Sequence, residues 1–223
     1  MKNTVAKLER MNLSYKGTNF TPRVYEKTLT RGITLITIQL VNEAHEGNKH
    51  EPFDLRKSAN ENVLGFAEVL VGTYQDFVNC REEHLAKPRE TRLELGYVDP
   101  ITQVSELMWA LNRQDANYAP EDKIAFIPML FIEQVAQNRG IGKALMGEVL
   151  KLADCDVYCK NMPFKRVAQT GVVNIGTISR AGTEYIDGRY EPKDSLNSFL
   201  SHFNAVKIFP LPQQHILVIR KQN

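Results

Sequence analysis

The sequence predicts an α/β fold, a mixed sheet with helices on both faces. Three observations predict it. The first half carries two stretches rich in β-branched residues, Ile33–Val41 and Val63–Thr73, which read as strands. A central apolar run, Ile124–Ile132, passes through a polar connection into an amphipathic helical pattern that ends near Asp154. Two apolar strands, Val206–Phe209 and His215–Arg220, follow late in the chain around the turn Pro210-Leu211-Pro212. Strands and helices in this order pack as one sheet covered on two sides.

The chain has 223 residues, 43% of them apolar and 24% charged, which suits a single globular domain over 1–223. The segment around 75–120 reads as an insertion. No internal repeat, low-complexity tract or interdomain linker interrupts the chain. A net charge of +2 gives no broad electrostatic case for nucleic acid or an anionic membrane. No apolar run reaches the length of a membrane span, and MKNTVAKLERMNLSYKG lacks the apolar core of a secretion signal. The expected compartment is the cytoplasm. Of the three cysteines, Cys155 and Cys159 form a lone pair without the partners a zinc set needs. They are expected to be reduced thiols near the end of a helix, with no metal bound.

Taken in order, residues 1–22 are polar and mixed. Arg23–Leu40 contains a hairpin broken at Arg31-Gly32, and its second arm is the strand Ile33–Val41. Asn42–Asn62 holds Glu43, His45, Glu46, His50 and Glu51. It reads as a solvated connection rather than a metal-binding loop. Gln75–Pro120 is the least readable part. Arg81–Arg92 is dense in charge, and Val104–Leu111 has the spacing of a short helix carrying the only tryptophan, Trp109. That helix reads as packing its own apolar face; the alternative is a wall of a substrate site. Ala119-Pro120-Glu121-Asp122 is a turn before the central strand. Beyond the central helix, Lys165–Ile175 reads as the next strand. Thr177–Ile186 reads as a hairpin arm before the turn Asp187-Gly188, and Ser195–Phe203 as a short helix.

The chemistry concentrates between Ile124 and Asp154. Ile141, Ala144, Leu145, Val149 and Leu152 recur at three- and four-residue steps and form one apolar face, widened by Met146, Leu150 and Ala153. Such a helix lies flat on a sheet. Its first-turn N–H groups have no intrahelical partner, and the dipole makes that end positive. Gly140 and Gly142 remove side chains there, while Arg139 and Lys143 add positive charge. The result is a phosphate cradle. A nucleoside-triphosphate loop does not fit, because Ala144 follows Gly142-Lys143 and Gln137 stands five residues before Gly142. A dinucleotide loop fits poorly, because Leu145 stands where helix and strand must approach closely. The remaining pattern is Gln-x-x-Gly-x-Gly, from Gln137 to Gly142, between a strand and a helix.

That pattern resembles the acyl-CoA-binding motif of the GNAT superfamily of N-acyltransferases, and the resemblance covers residues 124–154. It implies a GNAT-like, mostly antiparallel central sheet splayed at the central strand, with acyl-CoA in the opening. It implies transfer of an acyl group, acetyl first among them, from acyl-CoA to an amine by direct attack. The acceptor would be a small molecule or a protein amine. The backbone of Leu130, Phe131 and Ile132 would pair with the pantetheine arm. The pyrophosphate would sit on the amides of Asn138, Arg139, Gly140, Ile141, Gly142 and Lys143, with Gln137 in the family's Gln/Arg position. The family often uses a tyrosine in the helix before the last hairpin to protonate the leaving thiolate. Ser195–Phe203 contains none; Ser201 falls in that slot, with His202 beside it. Glu68 is a candidate base, whereas Glu133 reads as a solvated loop carboxylate. The missing tyrosine keeps open a GNAT-like acyl-CoA-binding sensor or regulatory protein with little or no catalysis. An acyl-homoserine-lactone-type synthase using acyl-carrier protein is a more distant alternative within the same fold.

Overall fold

The computed structural model describes residues 6–11, 13–30, 32–44, 52, 62–91, 100–113, 117–132, 136, 139–161, 183–186, 189–192, 201–211 and 214–221. In chain order the elements are α1 (Ala6–Glu9), β1 (Ser14–Tyr15), β2 (Thr18–Thr28), β3 (Thr34–Asn42), β4 (Val63–Thr73), α2 (Tyr74–Ala86), α3 (Pro100–Arg113), β5 (Lys123–Ile132), α4 (Ile141–Ala153), β6 (Asp156–Asn161), β7 (Thr183–Ile186), β8 (Arg189–Pro192), β9 (Val206–Leu211) and β10 (Gln214–Ile219). Eight strands form one sheet in the order β1-β2-β3-β4-β5-β6-β10-β9, and β7 and β8 pair separately. Within the large sheet only β5 and β6 run parallel. A parallel pair needs a crossover, and α4 supplies it.

Apolar alternation assigns each strand two faces, and helices cover both. Phe20, Ile38, Leu40, Val69, Ala125 and Ile127 face α1 and α4, where Leu8, Ile141, Leu145 and Val149 complete one core. Leu35, Leu70, Phe126 and Tyr158 face α2 and α3, where Phe77, Leu107 and Met108 complete a second. The predicted α/β fold is the observed one: a mixed, mostly antiparallel sheet flanked by helices.

Three readings change. The charge-dense stretch after Gln75 is largely the helix α2. Its start is fixed by a capping box in which the Thr73 side chain accepts from the Asp76 amide, and the Asp76 carboxylate accepts from the Thr73 amide. The strand after the central helix is β6, and it begins two residues beyond the Asp154 C-cap rather than at Lys165. Cys159 therefore lies in β6, not at a helix end; residues 165–175 are outside the described ones. Finally, β2 starts at Thr18, within a stretch whose polarity hid it. The helix around Trp109 packs Val104, Leu107 and Leu111 inward. Trp109 itself is 38% exposed under the Arg113 guanidinium, so this is the packing reading.

Where β6 begins, four side chains bind the sheet together. Tyr118 and Arg220 both hydrogen-bond the Asp156 carboxylate, and the Tyr118 and Tyr158 hydroxyls pair with each other. The Lys221 amide donates to the other Asp156 oxygen at 3.0 Å. Burial alone would raise the Asp156 pKa, but the Lys221 amide and the Arg220 guanidinium hold the carboxyl below its usual range. Burial pushes the Tyr158 hydroxyl well up, so it stays protonated. A carboxyl whose folded pKa is depressed contributes stability above its unfolded pKa and loses it as pH falls through the folded value. Asp156→Asn should therefore cost about 1 kcal/mol at neutral pH, discounted for the exposed Arg220, or a melting-point drop of roughly 2–4 °C. Parent and variant should converge in thermal melts as pH falls through the depressed folded pKa of Asp156.

Candidate active site

From this bound end β5 and β6 run side by side for four rungs, Ile124↔Asp156 to Ile127↔Cys159. Then they part. Met129 to Ile132 keep their β4 partners, Glu68 to Gly65. Lys160 and Asn161 keep their β10 partners, Ile216 and His215. Neither set pairs with the other. Two local causes coincide at this point. Pro128 has no N–H to donate to a ladder. The register between β4 and β5 also shifts here: Glu68 opposes Met129 while Leu70 opposes Phe126, so Ile127 and Pro128 together face Val69. A bulge of this kind bends and twists its strand. The sheet opens at the central strand, as the resemblance implied.

The opening leaves one side of the Met129–Ile132 backbone without a neighbouring strand among the described residues. In an extended strand alternate residues turn their N–H and C=O toward that side, which is the geometry that accepts an extended ligand by added-strand pairing. Leu130 packs on the core under α4 and Ile132 is buried in it, so those side chains are structural and their backbone is what a ligand would meet.

The helix that follows starts bare. Gly140 is its N-cap with φ 77°, in the left-handed region that favours glycine, and no side chain caps the end. The first helical bond runs from the Ala144 amide to the Gly140 carbonyl at 3.0 Å. The amides of Ile141, Gly142 and Lys143 therefore have no intrahelical acceptor. A Cβ placed on Gly140 would meet nothing within 4 Å, so the space beside the cap is open. Ile141 is buried and anchors the turn; Lys143 and Arg139 are exposed. Arg139 has a further role that the spacing did not suggest. One guanidinium nitrogen donates to the Ser14 carbonyl at 3.0 Å and ties β1 to the loop before α4. Gln137, Asn138 and Glu133 lie outside the described residues.

Lys143 presents a single exposed charge, worth roughly 1 kcal/mol or less. Lys143→Ala should weaken acetyl-CoA binding no more than about fivefold in a titration. Loss of all binding would make the side chain, rather than the amides, the ligand's main contact.

Glu68 is on β4, 8% exposed, and its backbone partner is Met129, the first residue of the parted segment. It faces the α2–α3 side, sharing the side of Leu70 along the strand. Ser201 and His202 are both exposed, in the turn that leads into β9. Next to them Phe203 packs against the core under α4. β9 starts at the level of Tyr158, through the pairs Val206↔Val218 and Val218↔Tyr158, so this turn lies two strands from the opening. Residues 195–200 of the expected helix are outside the described ones.

The cysteines are poor nucleophiles here. Burial pushes the Cys159 thiol up to about 12 and the Cys155 thiol to about 11, so both are protonated at neutral pH. Cys80 is also buried. Among the described residues no group of three or more His, Cys, Asp or Glu side chains could hold a metal ion. No helix among them is long and apolar enough to cross a membrane.

No family model and no curated protein matches the sequence. A solved structure to which the chain is similar is that of mosquito arylalkylamine N-acetyltransferase like 5b. The two share 13% identity, with 82% of this chain and 73% of that chain covered, at a TM-score of 0.38. A likeness of that size carries no argument about activity.

Proposed function

We propose that this protein is an N-acyltransferase that moves an acyl group, acetyl in the first instance, from acyl-CoA to an amine. The single observation that supports the reading most is a coincidence of two features. The sheet opens beside Met129–Ile132, and the next element begins with three amides that have no intrahelical acceptor, behind a left-handed glycine. An extended arm with a pyrophosphate at one end needs both: a strand edge to pair with and an anion cradle beyond it.

In this reading the pantetheine runs along the backbone of Leu130, Phe131 and Ile132, and the pyrophosphate takes the amides from Arg139 to Lys143; Gln137 and Asn138, which the motif adds to this set, lie outside the described residues. The thioester lies in the opening. The acceptor amine attacks its carbonyl carbon; the new C–N bond forms as the C–S bond breaks. Glu68 takes the amine proton, directly or through one water. The thiolate regains a proton relayed by water, for which the exposed turn of Ser201 and His202, two strands from the opening, is the proposed source. Much of the rate enhancement comes from positioning and from backbone N–H groups facing the developing oxyanion.

His202→Ala or Ser201→Ala should lower kcat about 10²-fold, the low end for a general acid, with acetyl-CoA affinity unchanged. Parental kcat in both variants hands the proton to bulk water.

The reading is tested by titrating acetyl-CoA in a thermal-shift assay and by following thiol release against an amine library. A rise in melting temperature with acetyl-CoA and thiol release that depends on an amine are expected. Binding without turnover across the library would favour the sensor alternative, and the absence of binding would remove both.

A further inference from the structure

The face of the sheet that carries α2 and α3 is apolar over its bound end and polar where it approaches the opening. Two neighbouring rungs make the difference. On one, Tyr25 pairs with Thr37, Thr37 with Glu68, and Glu68 with Met129. On the next, Arg23 pairs with Gln39, Gln39 with Phe66, and Phe66 with Phe131. Directly paired residues share a face, and residues two apart on a strand share it too. Arg23, Tyr25, Thr37, Gln39 and Glu68 therefore form one polar strip across three strands. The remaining β2 side chains at Phe20 and Val24 turn to the opposite core.

The strip is buried. Thr37 is 3% exposed, Gln39 2%, Glu68 8% and Tyr25 9%. The helices over this face also carry buried polar side chains, His84 and Gln103. Buried hydroxyls are nearly always hydrogen-bonded, and leaving one unmade is destabilising. The Tyr25 hydroxyl is buried and makes no hydrogen bond among the described residues. Arg23, half-buried on the same face, makes no ion pair or side-chain hydrogen bond among them either. One end of the strip thus holds a hydroxyl and a guanidinium with donors to give. The other end holds a carboxylate beside the first residue of the parted strand. Neighbouring strands lie about 4.8 Å apart, so the two ends are separated by roughly 10 Å of backbone, which long side chains narrow.

We infer that this strip is the acceptor subsite and that it takes a primary amine bearing a carboxylate, an amino-acid-like acceptor. The ammonium end meets Glu68 at the opening, and the carboxylate meets the Arg23 guanidinium and the Tyr25 hydroxyl. Acceptor and acyl-CoA would then reach the opening from opposite faces of the sheet, the donor's pyrophosphate lying on the α4 side. The inference rests on the acyltransferase reading for the reaction but not for the binding of the acceptor.

The test uses the full chain and a panel of free amino acids, each matched with its decarboxylated amine. With acetyl-CoA present, the amino acids should be used in preference to the matched amines. Tyr25→Phe and Arg23→Gln should each raise the amino-acid KM about tenfold, the loss of one charge-assisted hydrogen bond. The KM for acetyl-CoA and for the matched amines should stay within about twofold. The inference is overturned if amines and amino acids are used alike, or if both variants keep the parental amino-acid KM. In the latter case Tyr25→Phe should merely raise the melting temperature, the mark of a hydroxyl with no ligand. Calorimetry with the same panel, with and without CoA, reads the strip apart from turnover. Failure of acetyl-CoA to bind while an amino acid binds and is weakened in both variants would sink the acyltransferase reading and leave the subsite standing. No binding of any amino acid would overturn the subsite.

Discussion

Gly142→Asp is expected to abolish acetyl-CoA binding while leaving the fold intact. Gly142 is the second residue of α4, half-buried, between the two other residues whose amides lack intrahelical acceptors. An aspartate there puts a negative charge on the path proposed for the pyrophosphate. Hydrogen bonds from amides to a charged group contribute roughly 1.5–3 kcal/mol each, so losing two weakens binding by about 10² to 10⁴-fold before repulsion is added. The same substitution suits the helix. Aspartate in the first turn favours the dipole, and aspartate has a higher helix propensity than the glycine it replaces. The free variant should therefore melt at or above the parental temperature and show no shift with acetyl-CoA. A folded variant that still binds like the parent would place the site elsewhere. Gly140→Val acts differently, since φ 77° strains any β-branched residue; its defect should appear in the free protein as well.

Glu68→Gln carries the second large effect. The amide keeps the volume and a polar surface on β4 but cannot accept a proton. If Glu68 takes the acceptor's proton, kcat at neutral pH should fall by 10² to 10⁴-fold, roughly the range for a lost general base. The deficit should narrow as pH rises, because the acceptor then arrives already deprotonated. Acetyl-CoA affinity should not change. Parental kcat at neutral pH would leave proton removal to water and reduce Glu68 to part of the buried polar strip.

What the sequence disclosed follows the range of the signals. The central unit was legible because it is local: apolar strand, glycine pair and a face at three- and four-residue steps lie in one stretch of chain. Its structure, β5 followed by α4 from Ile141, matches that reading. The opening was legible only through the family resemblance. Its physical cause, Pro128 beside a bulge opposite Val69, depends on the register of β4, which no local pattern encodes. Pro128 inside an apolar run was the available hint. α2 was missed because charges fill its outer face, although Thr73-x-x-Asp76 and the inward spacing of Phe77, Cys80 and His84 announced it. β6 was misplaced because its six residues, DVYCKN, are short and mixed, and a longer apolar run further on outweighed them. The polar strip from Arg23 to Glu68 belongs to three strands and becomes visible only when they are paired.

The proposed donor lays its arm along β5 and its pyrophosphate on the start of α4. Amide hydrogen exchange with and without acetyl-CoA measures this placement most directly. Protection is expected in two stretches, Met129–Ile132 and Gly140–Lys143, with the β9–β10 hairpin unchanged. Binding of acetyl-CoA that leaves both stretches exchanging as in the free protein would contradict it.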